Sequence, residues 1–353
     1  MNPSIDVSVP NSSEQNTFMY REAAEAPDVV ARLLHENRSE FLRVGSLLRK
    51  HKPRLVVTGA RGSSDHAATF AKYLIETRLS VLTSSIGLSV GSIYNVQSDF
   101  SGTLFLAISQ SGQSPDLIAS AQKAKTGGAF VVAIVNDGES PLARLADHII
   151  PLFAGTEKSV AATKTYLASA AAVAALVAVW SQDDSLTRAL DNLPNLMRSA
   201  WEADWNAAIV ALEDSRDLYV IGRGTGFGCA QEVALKFKET CGLHAEAFSA
   251  AEVLHGPMAL VKTGFPVLLL SQNDETRIGE KELAAKLRSV GATVLLAGFE
   301  QAGAINLPAI GGCSILEPIL LAQSAYRMIN MLSLRRGLNP DHPPNLTKVT
   351  ETV

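Results

Sequence analysis

The chain has 353 residues, 47% of them apolar, with 31 basic against 35 acidic side chains for a net charge of −4. That content is enough to bury two cores of ordinary domain size, and the charge balance excludes the basic footprint of a nucleic-acid-binding protein. Three unevenly spaced cysteines, Cys229, Cys241 and Cys313, make neither a disulfide framework nor a metal-binding set, so no metal is expected.

Residues 1–16 are polar and read as a frayed tail without the marks of a secretory leader. From 17 to 50 the pattern predicts helices whose apolar face gathers Leu33, Leu34, Phe41, Leu42, Leu47 and Leu48. Leu55–Ser64 then reads as a short strand running into a glycine turn, with a helix over 65–76. Thr103–Ile108 is a continuous apolar run of the kind buried on both faces of a sheet. It ends in Ser109, Gln110, Ser111, Gly112, Gln113 and Ser114, just where Pro115 predicts the start of a helix. Helix N-termini carry unpaired N–H groups and partial positive charge, so these neutral donors suit a phosphate dianion. In an open parallel sheet, Ser63 and Ser64 face the same crevice, because ligands collect at the carboxyl ends of the strands. Capping accounts for Ser114 taken alone, but not for all five serines.

The longest apolar stretch, Ala168–Trp180, is alanine-dominated and too short to span a bilayer comfortably, which predicts a buried helix and no membrane association. The first unit closes near Ser181, and residues 183–214 form a helical link containing Leu193 and Pro194. The second unit runs from Leu218 to Gly337 and repeats the order of the first. Tyr219–Ile221 is a strand, Gly222–Gly226 a glycine-rich turn, and Phe265–Asn273 the counterpart of the run ending at Ser109. The fold class is therefore α/β, two diverged copies of one unit, each a parallel sheet flanked by helices. Pro318–Leu334 reads as a buried helix and Asn339–Pro344 as a stiff irregular tail. The expected divisions are 1–16, 17–195, 196–337 and a tail, 338–353, that contributes to the site.

Glu232, Lys236 and Glu239 stand at i, i+4 and i+7 of the helix after the second glycine turn. One face thus collects two carboxylates and an ammonium, a set suited to moving protons. The plain alternative is a surface ion pair worth a few tenths of a kcal/mol. His244, Glu246 and His255 follow, and His255 adds an imidazole that titrates near neutrality.

These motifs resemble, in order, the isomerase half of glucosamine-6-phosphate synthase, which consists of two sugar isomerase (SIS) domains of flavodoxin-like three-layer form. The resemblance rests on the Gly62–Ser64 turn, Ser109–Gly112, Gly155–Lys164, Glu232–Glu239, His244–Ala247, Leu254–Pro257 and the closing Pro344–Lys348. The synthase family also carries a glutaminase domain with a nucleophilic cysteine after its first Met. This chain reads Met1-Asn2-Pro3-Ser4 instead, so no internal source of ammonia is expected. The resemblance then implies a stand-alone aminosugar-phosphate deaminase and isomerase converting glucosamine 6-phosphate and water to fructose 6-phosphate and ammonia. A fructosamine-6-phosphate deglycase, a galactosamine-6-phosphate enzyme and a non-catalytic sugar-phosphate sensor are the alternatives.

By the same resemblance, Glu239 shuttles the proton, His255 opens the sugar ring, Lys236 stabilises developing charge, and Glu232 positions substrate or His255. Lys348 matches a lysine implicated in ring opening and imine chemistry. Ser63, Ser64, Ser109, Gln110, Ser111, Ser114 and Val160 would bind substrate. No cofactor is implied; a cytoplasmic homodimer is, with His255 acting across the dimer. His66, His244 and Glu246 are near-site residues for which a structural role is at least as good an account. Arg61, Gln113 and Ala162 depart from the synthase pattern and border the sugar pocket.

Overall fold

The computed structural model describes residues 14–348. The tail expected over 1–16 falls mostly outside the described residues, and Glu14–Asn16 form a turn of 3-10 helix. Two helices open the fold, α1 (Phe18–Glu36) and α2 (Arg38–His51). The first unit continues with β1 (Leu55–Gly59), α3 (Ser63–Leu79), β2 (Leu82–Ser85), α4 (Leu88–Ser92) and β3 (Thr103–Ser109). It is completed by α5 (Pro115–Thr126), β4 (Phe130–Val135), α6 (Pro141–Leu145), β5 (His148–Pro151) and α7 (Lys164–Ser181). Helix α8 (Asp184–Trp201) leads to the second unit, made of α9 (Asn206–Leu212), β6 (Asp217–Gly222), α10 (Gly226–Cys241), β7 (His244–Ser249) and β8 (Pro266–Leu270). Helix α11 (Arg277–Ser289), β9 (Thr293–Ala297), β10 (Ile305–Leu307) and α12 (Glu317–Arg335) follow.

Both sheets are five-stranded and parallel, in the orders β2-β1-β3-β4-β5 and β10-β9-β8-β6-β7. Read from the first strand of each unit the two orders are the same, as expected of two copies of one unit. In each sheet the chain changes direction beside its first strand, at β1/β3 and at β6/β8. That switch point is where an open sheet leaves a crevice.

Successive strand residues face opposite sides, so each sheet builds two cores. Leu104, Leu106 and Ile108 of β3 enter a core that also takes Leu218 and Val220 of β6 and Leu268 and Leu270 of β8. Phe105 and Ala107 face a separate outer core closed by Leu117 of α5 and Leu142 of α6. The shared core is filled by α1, α3, α7, α8, α10 and α12, so the two sheets sandwich one common helical layer. Helix α7 is apolar on all sides and long enough to cross a membrane by length and composition, yet 89% of it is buried inside the protein. It is the core helix that its composition predicts.

Two expectations are corrected. The division after residue 195 cuts through α8, which runs on unbroken past Pro194. Proline removes one backbone donor, but Leu186, Leu190, Leu193, Met197 and Trp201 bury one face of α8 against α1, α7 and α12 and hold the helix together. Leu42, placed on the apolar face of the first helices, points outward and is 55% exposed.

Candidate functional site

Helix α10 packs against α3 and α12, and that contact buries the charged stripe. Glu232 and Lys236 are both fully buried, and the Glu239 side chain is 17% exposed. Lys236 Nζ lies 3.4 Å from Glu232 Oε1 and 2.5 Å from Glu239 Oε2. This is not the solvated pair of a surface helix. Three further groups from other elements converge on Glu232. Tyr326 of α12 donates its hydroxyl at 2.9 Å, Ser63 of α3 donates at 3.2 Å, and His66 Nδ1 lies 2.9 Å away. Burial would drive Glu232 to its neutral form, but Lys236, His66 and Tyr326 outweigh burial and hold its carboxyl below the usual range. Burial likewise works against the Lys236 ammonium, and Glu232, then Glu239, keep it above its ordinary value. The pair is therefore ionised, in a dry setting where charge acts strongly.

Ser63 ties this stripe to the first crevice. There β3 ends at Ser109, whose hydroxyl accepts from the Gly112 N–H at 3.0 Å, while Ser111 accepts from Gln113 N–H at 3.3 Å. Gly112 has a φ of +63°, and a Cβ there would stand 2.1 Å from Ser140 Oγ, so only glycine makes this turn. Ser114 occupies the N-cap of α5 but makes no capping hydrogen bond. Capping, the plain account of Ser114, is therefore not what its hydroxyl does. Arg61, in the turn after β1, spans the crevice: its Nε and Nη2 donate to Asp116 Oδ2 at 2.9 and 2.7 Å.

A third segment, 156–163, brings in a carboxylate that the sequence reading did not single out. Glu157 is buried, takes the N–H groups of Thr163 and Thr165 and the Thr165 hydroxyl, and its charge helps to hold the proton on Lys236. Lys348, arriving from the tail, donates to Glu157 Oε2 at 3.1 Å and to the Ser159 carbonyl at 2.6 Å. Helix α1 fixes the segment from behind, with Glu22 accepting from the Lys158 and Ser159 N–H groups and Glu25 pairing with Lys164. Val160 lies half-buried in the same segment, and the buried hydroxyls of Ser159 and Thr163 have no partner among the described residues. The sequence signal for Glu157 was its place inside the Gly155–Lys164 motif.

Other residues stand apart. His255 is exposed, in a short 3-10 turn (Glu252–His255) after the edge strand β7, and Glu232 meets His66 rather than His255 within the chain. His244 is exposed on β7 beside Asp217, and Glu246 is exposed too. Cys229 and Cys241 are buried, and burial pushes both thiols up, Cys241 to about 12, so neither is a nucleophile near neutral pH. A cavity of about 590 Å³ adjoins the outer side of Glu239, between α10 and the tail, lined by Leu235, Lys238, Leu338, His342 and Leu346 among others.

Two parallel sheets of one topology, each changing direction beside its first strand, define a tandem α/β protein. The chain matches the SIS domain family over residues 47–179 and 211–297 and belongs to that family. Among curated relatives, it is 33% identical to the glutamine–fructose-6-phosphate aminotransferase (isomerizing) of Aeropyrum pernix, over 95% of this chain and 57% of that protein. It thus spans little more than half the length of that relative. Among solved structures, a candidate phosphosugar isomerase of Silicibacter pomeroyi DSS-3 is 42% identical with a TM-score of 0.89, covering 92% of this chain and 100% of that one. The glucosamine-6-phosphate deaminase of Thermotoga maritima, 20% identical with a TM-score of 0.74 over 95% of this chain and 100% of its own, shares the fold.

Proposed function

We propose that the chain is a sugar-phosphate deaminase and isomerase that converts glucosamine 6-phosphate and water to fructose 6-phosphate and ammonia. The observation that carries this reading is the Ser63 to Glu232 hydrogen bond, which sets a hydroxyl-lined crevice directly against a buried carboxylate–ammonium stripe. The phosphate would sit on the Ser109–Ser114 loop, with Ser64 and Gln110 beside it. The unpartnered hydroxyls of Ser159 and Thr163 favour a ligand rich in hydroxyls, because buried polar atoms are costly when unpaired.

In the open-chain sugar, Glu239 takes the proton from C2 and returns it to C1. Lys236 stabilises the negative charge that develops on the C1 oxygen of the intermediate. Protonation at C1 leaves an imine at C2; water adds there, ammonia departs, and the ketose remains. Glu232 orients this apparatus through Lys236 and His66. His255 would serve ring opening from a second copy of the chain, in keeping with its exposure, and Lys348 would act at the same end of the sugar. Purified protein given glucosamine 6-phosphate should release ammonia and fructose 6-phosphate in equal amounts. No release from it, or from galactosamine 6-phosphate, would sink the reading.

One observation favours a second reading. The cavity beside Glu239 offers room for a larger amine than ammonia, as a fructosamine-phosphate deglycase requires. Fructoselysine 6-phosphate assayed in parallel separates the two.

A further inference from the structure

The two copies of the unit carry the same turn: Arg61-Gly62-Ser63 after β1 and Arg223-Gly224-Thr225 after β6, with glycine φ of +54° and +58°. Each crevice also meets the same dipeptide at the end of its neighbouring strand, Ser109-Gln110 and Ser271-Gln272. What differs is what fills the crevice. In the second copy Gln272 is fully buried and donates from Nε2 to the Arg223 carbonyl at 2.8 Å, to Asp274 at 3.0 Å and to Thr276 at 3.0 Å. Its Oε1 lies 2.3 Å from where a Cβ on Gly226 would stand, so the glutamine plugs the gap. The Arg223 guanidinium is turned onto α11, with Nη1 2.8 Å from the corresponding point on Gly279.

In the first copy the plug is absent. The Gln110 side chain is half-buried and, like the Ser64 and Ser114 hydroxyls, has no hydrogen-bond partner among the described residues. Open space lies over Gly62. Arg61 reaches across this gap, with a side chain 55% exposed and anchored on an Asp116 side chain that is fully buried. Only Nε and Nη2 are used, both on the same carboxylate oxygen, which leaves Nη1 free to donate elsewhere. A guanidinium with spare donors beside a helix N-terminus and neutral hydroxyls is well matched to a phosphate monoester.

We infer that Arg61 is a specificity-determining residue of the first crevice: pivoted on Asp116, it donates to the phosphate of the substrate and sets the preference for phosphorylated over neutral sugars. This rests on the reading of the crevice as a sugar-phosphate site. Asp116 is then a positioning residue, and the Arg61 to Asp116 pair is a holder for the arginine rather than a strut.

The test compares the full chain with R61Q, R61K and D116N. Binding of inorganic phosphate is followed by its stabilising effect on thermal unfolding, and steady-state kinetics use glucosamine 6-phosphate. R61Q should raise KM and weaken phosphate binding by about ten- to a hundredfold, the range for one or two hydrogen bonds to a charged group, with kcat changed less than about threefold. R61K should recover part of the loss, and D116N, which keeps the guanidinium but removes its holder, should weaken phosphate binding less than R61Q does. Unchanged phosphate binding in R61Q overturns the proposal. So does equal loss in R61Q and D116N in step with a lowered melting temperature, the mark of a strut. A parent chain that does not respond to phosphate overturns it together with the crevice reading. If the parent binds phosphate through Arg61 yet releases no ammonia, the inference stands and the proposed reaction alone falls.

Discussion

Replacing Lys236 with Met tests the buried stripe most directly. Lys236 and Glu232 are fully buried, so the loss is not softened by solvent, whereas Glu239 is partly exposed and contributes less. Removing one partner of a buried pair costs about 3–5 kcal/mol. Glu232 keeps the hydroxyls of Tyr326 and Ser63 and the His66 ring, which places the expected cost near the lower end, about 3 kcal/mol. At roughly 2–4 °C per kcal/mol, the melting temperature should fall by about 6–12 °C. The cost also has a pH signature. With lysine present, Glu232 sits below the usual carboxylate range, and its stabilising share is present above the unfolded value of 4.5 and lost as pH falls through the folded one. Without the lysine, burial prevails and the carboxyl rises above that value. The variant is then penalised most at pH 8, and the penalty shrinks as the pH falls toward 4.5. Urea unfolding followed by circular dichroism at pH 8 and 5.5 reads both effects, and adding Glu232→Gln should restore part of the stability. A variant within about 1 kcal/mol of the parent at pH 8, or a penalty independent of pH, would refute the ionised buried pair.

Glu239→Gln should lower kcat by about 10²- to 10⁴-fold, the usual worth of a positioned proton carrier, with KM for glucosamine 6-phosphate within a few-fold; unchanged turnover removes the shuttle. Glu280 on α11 has a carboxyl pushed up to about 7 by burial, with Asp274 adding to it and the Ser271 hydroxyl opposing it. Its folded value lies above the unfolded 4.5, so stability is lost as pH rises from 4.5 to 7, by up to about 3 kcal/mol. Glu280→Gln keeps an acceptor for Ser271 and should be stabilising at pH 8 and near neutral at pH 4.5, as denaturant titrations at the two values would reveal. Gly112→Ala meets both the positive φ and the Ser140 side chain, and should cost about 2 kcal/mol while weakening phosphate binding; a variant that melts and binds like the parent would show that the loop has room to spare.

The stripe on α10 was legible because a helix repeats every 3.6 residues and three charges fell on one face. Its burial was not, because the groups that close over it lie far along the chain: Tyr326 is 94 residues from Glu232, and His66 is 166 away. Periodicity reports which residues share a face, not what lands on it. The crevice serines were readable from a buried strand that stops at a helix start, since the switch point follows from sheet order. That the first crevice is richer in hydroxyls than the second was readable, but the plug was not, because Ser109-Gln110 and Ser271-Gln272 are the same dipeptide and diverge in where the glutamine side chain goes. The helical link containing Pro194 was legible too, and the tertiary packing of α8 offsets the local loss of one hydrogen bond there.

The tail that brings in Lys348 is itself fastened. Asp341 accepts from the Phe18 and Met19 N–H groups at 2.6 and 2.8 Å, capping α1 with a residue more than 320 positions away. The same helix holds the 156–163 segment through Glu22, so both halves of the Lys348 to Glu157 pair are moored to one rod. Six residues of leash separate Asp341 from Lys348, so the anchor works as an effective concentration: it keeps the ammonium at about millimolar or higher local abundance beside its carboxylate without adding a contact of its own. Cutting the mooring would dilute the lysine rather than remove it.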